Sequence, residues 1–424
     1  MPGRKPAVAP SSGPDHGMAT KSSGAASAFS ANAASMPSGR GWAMVAAGAL
    51  VIMVVVVFAR LAFGFILPFM RTALGLSYQQ AGTLGTASAL GYLVLIMVAG
   101  MVASRWGGRI AVLSGVSMTL VGFAGLALAS DYRLLVALMA LLGFGTAFAY
   151  TPVISLLAGW FPQRRGAVIG VANSGVGLGL LLAGSLVPYL NTAYAERGWR
   201  IAWALFALTA LLALVVGFFL LRNPALAGPT GAHKVDKARV FRDSHVITIG
   251  LLYGVVGVTY IVQAIFMYSF ALESGVSALT AGRLAAAAGI LSIFASPCWG
   301  WLSDQHGRAL VLRICVSMTL VGTLIPVIWP VLGGFAAHFL IVGCTLSGMF
   351  GAILAASTET VAPHEAPLAV SYVTLFYAVG QFAGPAAAGL LIEYAGGFRT
   401  AFAVCCVVLA LGIVLTLRLG RRRR

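Results

Sequence analysis

The sequence predicts an all-α membrane protein of twelve transmembrane helices, arranged as two pseudo-symmetric six-helix bundles. An apolar composition, twelve long apolar runs and an internal repeat near half the chain length predict it. Hydrophobic residues fill 60% of 424 positions and charged residues only 9%. A soluble domain carries charge at roughly a quarter of its positions, so this chain uses lipid as its solvent. The heptad Val-Ser-Met-Thr-Leu-Val-Gly occurs at Val116–Gly122 and again at Val316–Gly322. Gly100 and Gly300, Gly143 and Gly343, and Gly184 and Gly384 keep the same spacing. Gly198-Trp199-Arg200 is echoed by Gly397-Phe398-Arg399. A period of this size marks two halves of one fold rather than a solenoid of short units.

Taken in order, residues 1–41 are rich in Ser, Ala, Gly and Pro without periodicity, which predicts a disordered cytoplasmic tail. That stretch lacks the apolar core of a cleavable signal, so the first span serves as an uncleaved anchor. The first bundle, 42–221, holds spans at about 43–69, 81–103, 110–130, 134–157, 167–190 and 200–221. Residues 222–244 carry Pro224, Pro229 and a group of basic residues, and read as a cytoplasmic linker. The second bundle, 245–420, holds spans at about 246–270, 281–303, 309–332, 335–358, 368–392 and 399–418. Residues 421–424 form a basic C-terminal tail. Each run reaches the roughly 20 residues that cross a hydrocarbon core. They are helices, because lipid tolerates no unpaired backbone and the runs are too long and uniform for barrel strands.

The net charge of +17 is a topology signal rather than a nucleic-acid footprint. With the N-terminus inside, the loops and tails of one side collect Arg105, Arg109, Arg164, Arg165, Arg308 and most of the other basic residues. The opposite side receives only Arg71, Arg133, Arg197, Arg200, Arg283 and Arg399. That bias predicts both termini in the cytoplasm. The cysteines Cys298, Cys315, Cys344, Cys405 and Cys406 all fall inside spans and lack metal-ligand spacing. They read as packing residues, and no metal or cofactor is expected. No phosphate-cradling loop and no nucleophile–base pair at a plausible depth argues for an enzyme.

Several segments carry a family likeness. Gly100-Met-Val-Ala-Ser-Arg-Trp-Gly-Gly-Arg and Gly300-Trp-Leu-Ser-Asp-Gln-His-Gly-Arg each join two spans. They resemble the loop signature of the major facilitator superfamily, in which small residues allow a tight turn and Asp and Arg face the cytoplasm. Asp304, Gly307 and Arg308 match that signature in the second half. In the first half Ser104 replaces the Asp, while Arg105, Gly107 and Arg109 remain. Trp160-Phe161-Pro162-Gln163-Arg164-Arg165 followed by a small-residue ridge to Gly179 resembles the monocarboxylate and oxalate–formate branch. Val379–Pro385 and Arg60–Gly64 also resemble a little-characterised bacterial branch of facilitators.

The resemblance implies a secondary transporter of the bacterial inner membrane, rocking two halves around a central site. Its partners would be a small-molecule substrate, a coupling proton or counter-anion, and the bilayer. A monomer is expected. The favoured cargo is a small, monocarboxylate-like organic anion. Efflux of an amphipathic compound is the alternative within transport, and a transport-dead sensor or scaffold is the alternative outside it. Monocarboxylate porters hold their substrate with an Arg before a Pro on helix eight, whereas Ser296 precedes Pro297 here.

An anionic cargo therefore needs another cation, and Arg60 is the one deep within a span. An intramembrane Arg is functional by default, the alternative being that it snorkels to the outer surface or pairs with a helix-end carbonyl. Tyr92, Tyr150, Asn173, Tyr253, Tyr260, Gln263, Tyr377 and Gln381 lie at middle depth, and Tyr150, Tyr260, Gln263 and Gln381 are the favoured lining residues. Family likeness also implies a cytoplasmic gate. Asp304 would face Arg164 and Arg165, and Arg105 and Arg109 would face Glu359 and Glu365. Arg308 completes the signature on the second half.

Overall fold

A computed structural model describes residues 38–161, 164–224, 237–362 and 365–420. Most of the expected N-terminal tail, the middle of the linker and the tail 421–424 lie outside the described residues. The first span comprises α1 (Ser38–Ile52), a π-helical segment (Met53–Leu61) and α2 (Phe63–Leu74). The first half continues with α3 (Tyr78–Trp106), α4 (Gly108–Leu128), α5 (Tyr132–Trp160), α6 (Arg165–Ala193) and α7 (Gly198–Leu220). A short helix α8 (Lys237–Arg242) stands inside the expected linker. The second half comprises α9 (Ser244–Glu273), α10 (Ala278–His306), α11 (Arg308–Ile328), α12 (Leu332–Ala356), α13 (Ala366–Tyr394) and α14 (Gly397–Gly420). Twelve of the described helices are long and apolar enough to cross a membrane.

The sequence repeat reappears as a repeat of helix bounds. Helices α3 and α10 are both 29 residues long, and α4 and α11 are both 21. Gly107 at φ +94° and Gly307 at φ +85° make the turns that join them. That left-handed geometry is why the loop signature needs glycine at these two positions. At the other membrane face Gly75 and Gly275 also take positive φ, and Ser77 and Ser277 then cap the next helices through their side chains. Packing repeats as well: α3 lies on α5 as α10 lies on α12, and α4 lies on α7 as α11 lies on α14.

An even number of spans per half puts residues 38 and 420 on one membrane face, here called the terminal face; the other is the distal face. The halves meet chiefly where α3 packs on α13, α6 on α10, and α2 on α9. These seams are tight toward the distal face. A Cβ on Gly82 would strike the Pro385 backbone, and one on Gly184 would lie 2.8 Å from the Gly282 carbonyl oxygen. Small residues there allow helix backbones to touch. Thr86 fixes the register by donating to the Phe382 carbonyl (3.1 Å) and accepting from the Ala386 N–H (3.1 Å).

The first span departs from the single uninterrupted helix expected at 43–69. Within Met53–Leu61 the backbone widens, and the Ala62 N–H reaches the Val57 carbonyl five residues back (2.7 Å). Tertiary contacts hold the widened turn. The Thr146 hydroxyl of α5 donates to the Val55 carbonyl (2.6 Å), and Phe58 stacks on Phe206 of α7 with centroids 4.2 Å apart. Such an aromatic pair adds about 0.5–1.5 kcal/mol beyond its buried area. Single-turn π segments inside helices often sit at functional positions. This one carries Arg60.

Candidate functional site: the inter-half centre

Arg60 reaches across the interface. Its Nη2 donates to Oε1 of Gln381 at 2.7 Å, linking the first span to the middle of α13. Gln381 in turn donates from Nε2 to the Tyr377 hydroxyl, one helical turn earlier, at 2.7 Å. Tyr92 of α3 covers the guanidinium, with Cζ 5.0 Å from its ring centroid, a cation–π distance. Close approach of α3 and α5 sets Tyr92 in place, because a Cβ on Gly143 would strike the Ser88 carbonyl and lie 2.8 Å from the Tyr92 nitrogen. The Arg60 Nε is buried without a hydrogen-bond partner. The cation is thus fixed by a neutral amide rather than by a carboxylate.

Aromatic rings form the wall around it. Tyr253 of α9 stacks on Tyr377 with centroids 4.4 Å apart. Phe350 of α12 meets Tyr253, Tyr260 and Tyr377 edge-on at 6.0, 5.4 and 5.6 Å. Tyr92, Tyr260 and Tyr377 lie within electrostatic reach of Arg60, and Tyr150 within reach of Tyr92.

Of the favoured lining residues, Arg60 and Gln381 are thus in direct contact, and Tyr150 and Tyr260 stand in the surrounding ring. Gln263 is placed elsewhere. It is buried between α9 and α11, donating to the Thr259 carbonyl (3.1 Å) and accepting from the Thr323 hydroxyl (3.3 Å). Its depth resembles that of Gln381, but its helix face points into the second half. Tyr92, Tyr253 and Tyr377 were legible only as polar residues at the right depth, and Phe350 had no signal beyond being aromatic.

On the terminal face Arg308, Glu359, Glu365, Arg109 and Arg105 make contacts within their own halves. Arg308 donates to the Ala355 carbonyl (2.9 Å) and pairs with Glu359 at 3.2 Å. Glu359 also lies 3.9 Å from His245. The Glu365 side chain, buried, accepts from the Ala362 N–H (3.2 Å). Arg109 donates to the Phe218 carbonyl (2.5 Å), and Arg105 lies over Trp106. Asp304, Arg164 and Arg165 are exposed. Beside the Glu359 cluster, Asp243 caps α9. Burial pushes its carboxyl up, but hydrogen bonds from Thr360 and from the His245 and Val246 backbones outweigh burial and hold it below the ordinary value.

The distal face carries a polar latch that sequence reading did not single out. Glu273, at the end of α9, accepts from the Tyr78 hydroxyl and lies 3.9 Å from Arg71. Arg71 stands over the Tyr78 ring with Cζ 4.1 Å from the centroid. Glu393, near the end of α13, accepts the Tyr78 backbone N–H at 2.8 Å. Tyr394 donates to Gln79 at 3.0 Å. These contacts and the Thr86 bonds join the halves toward this face, with the Arg60–Gln381 bond at the centre. The molecule is therefore closed on its distal side.

Two six-helix bundles related by an internal repeat, closed at one face over a cation-bearing centre, define a membrane transporter rather than an enzyme. The chain belongs to the major facilitator superfamily, within the family described as "Uncharacterised MFS-type transporter YbfB", which matches residues 52–417. It is 28% identical over 350 residues to monocarboxylate transporter 11 of Homo sapiens, covering 78% of this chain and 70% of the relative. The hexuronate transporter of Bacillus subtilis (strain 168) is 26% identical over 152 residues, 36% of this chain and 35% of that protein. A bacterial homologue of the human lysosomal transporter Spinster, solved inward-facing and unoccupied, shares the fold with a TM-score of 0.76 at 18% identity. That likeness covers 91% of this chain and 98% of the other. The nucleoside transporter NupG matches with a TM-score of 0.74 at 9% identity, over 89% of this chain and 99% of that one.

Proposed function

We propose that this protein carries a small organic anion across a bacterial inner membrane by alternating access, as a monomer with both termini cytoplasmic. The observation that carries the reading is Arg60. A guanidinium well inside the bilayer is expensive, and here its only hydrogen-bond partner among the described residues is a neutral amide. A carboxylate arriving from the open side would satisfy it with charge-assisted hydrogen bonds. Relatives named as monocarboxylate and hexuronate transporters have carboxylates in their names, which supports the same chemistry. Every described Asp and Glu lies at or beyond a helix end, so a coupling proton would bind near a face or on the cargo, and a counter-anion is the other candidate.

The distal latch and glycine seams would part as the halves rock, while the terminal face closes. Asp304 would then meet Arg164 and Arg165, and Arg105 and Arg109 would meet Glu359 and Glu365, with Arg308 holding Glu359 in place. Reconstituted protein taking up a panel of labelled carboxylates tests the reading. Arg60→Gln should lose uptake, and Arg60→Lys should lose about tenfold or more, because an ammonium keeps the charge without the planar fork. Uptake by Arg60→Gln at the unsubstituted rate would refute the anion anchor.

A further inference from the structure

We propose that the centre selects carboxylates that carry an aromatic ring; this rests on Arg60 being the anion anchor. Three features of the site point the same way. The first is the free edge of the guanidinium. Tyr92 covers one face of Arg60 and Gln381 takes one Nη2 proton, while Nη1 makes no hydrogen bond among the described residues. An incoming carboxylate can engage that end without displacing Tyr92.

The second is the wall beside it. Tyr253 and Tyr377 are stacked at an interplanar angle of 21°, and Phe350 stands edge-on to Tyr253, Tyr260 and Tyr377 at 72° to 87°. Aromatic edges are positive and faces negative, so a wall offering both orientations receives a flat ring better than a saturated chain. A two- or three-carbon acid held at Arg60 would leave those ring surfaces uncovered.

The third is the supply of polar groups. The hydroxyls of Tyr92, Tyr150, Tyr253 and Tyr260 make no hydrogen bond among the described residues, yet none is a buried, unpaired atom. Scattered phenols suit one or two ring substituents. A sugar acid needs several converging donors and acceptors to orient its hydroxyls, and among the described residues Gln381 is the one amide in hydrogen-bond contact with Arg60.

Isothermal titration of the purified full-length protein with benzoate, 4-hydroxybenzoate, lactate and galacturonate tests this. Benzoate and 4-hydroxybenzoate should bind at least about tenfold tighter than lactate or galacturonate. Tyr260→Phe, which keeps the ring, should retain that preference, whereas Tyr260→Leu should narrow it at least about threefold. Phe350→Leu probes the same wall should Tyr260→Leu fail to fold. Arg60→Gln should weaken binding of every acid. Lactate or galacturonate binding as tightly as benzoate, and lost in Arg60→Gln, would overturn ring selection while leaving the anchor standing. Benzoate binding that survives Arg60→Gln, or no binding of any of the four acids, would overturn the anchor and the selection together.

Discussion

Gly82→Ala should open the distal face. A Cβ at position 82 would collide with the Pro385 carbonyl oxygen and lie 3.1 Å from its carbon and 3.2 Å from the Gly389 Cα. Carbon atoms settle at about 3.5–4.0 Å, so α3 and α13 must separate by roughly half an ångström or more. All three neighbours are backbone, and no flexible side chain can yield. Overpacking of this kind costs about 1–3 kcal/mol, and here only the distally closed state bears it. At 1.4 kcal/mol per tenfold, the distally open population should rise by about fivefold to somewhat over a hundredfold. Spin labels at Arg133→Cys and Leu332→Cys, in a background without native cysteines, report the distance across that face. Gly82→Ala should lengthen it, and Gly184→Ala should do so at the second seam. Gly100→Ala and Gly300→Ala, with open space around the added methyl, should leave it unchanged. An unaltered distance in Gly82→Ala, or a drop in thermal stability without opening, would refute the idea that the seam strain is specific to one state.

Glu273→Gln weakens the latch by removing the partner of Arg71. The pair is partly exposed, with 29% and 49% of the two side chains accessible, so about 1 kcal/mol or less is expected. The same labels should show a modest shift toward distal opening, reduced at high salt in the unsubstituted protein. Asp304→Asn should shift the balance the other way, because it removes a charge that would pair with Arg164 and Arg165 only when the terminal face closes. Faster labelling of a cysteine placed on that face is the expected result, and unchanged labelling counts against the gate.

The parts of the fold that follow from period and hydropathy were legible. Twelve apolar runs became twelve long helices, and the repeat marked by Val116 and Val316 became equal helix bounds. The π segment was not legible, because a run of valines carries no sign of a widened turn. Thr146 and Phe206, distant in sequence, hold it. Arg60 and Gln381 were each legible as polar residues at middle depth, but 321 residues separate them and nothing local pairs them. Gln263 shows the limit most plainly. Depth along a helix can be counted from sequence, whereas the face a side chain presents depends on how neighbouring helices rotate. Tyr78 and Glu273 fell at span ends, where polar residues usually meet water, so their contact across the halves left no trace.

The bond between Arg60 and Gln381 bears on what the unloaded carrier can do. The amide oxygen accepts from Arg60 Nη2, so the guanidinium keeps a polar partner without any cargo. A bare guanidinium sealed between two closing halves would carry an uncompensated charge through the dry intermediate, and that penalty would bar the return of an empty carrier. With Gln381 in place the cation stays solvated by the protein itself. If Arg60 is the anchor proposed above, cargo joins an internal partner at the other end of the guanidinium, and the return stroke without cargo meets a lower barrier than a lone Arg would impose.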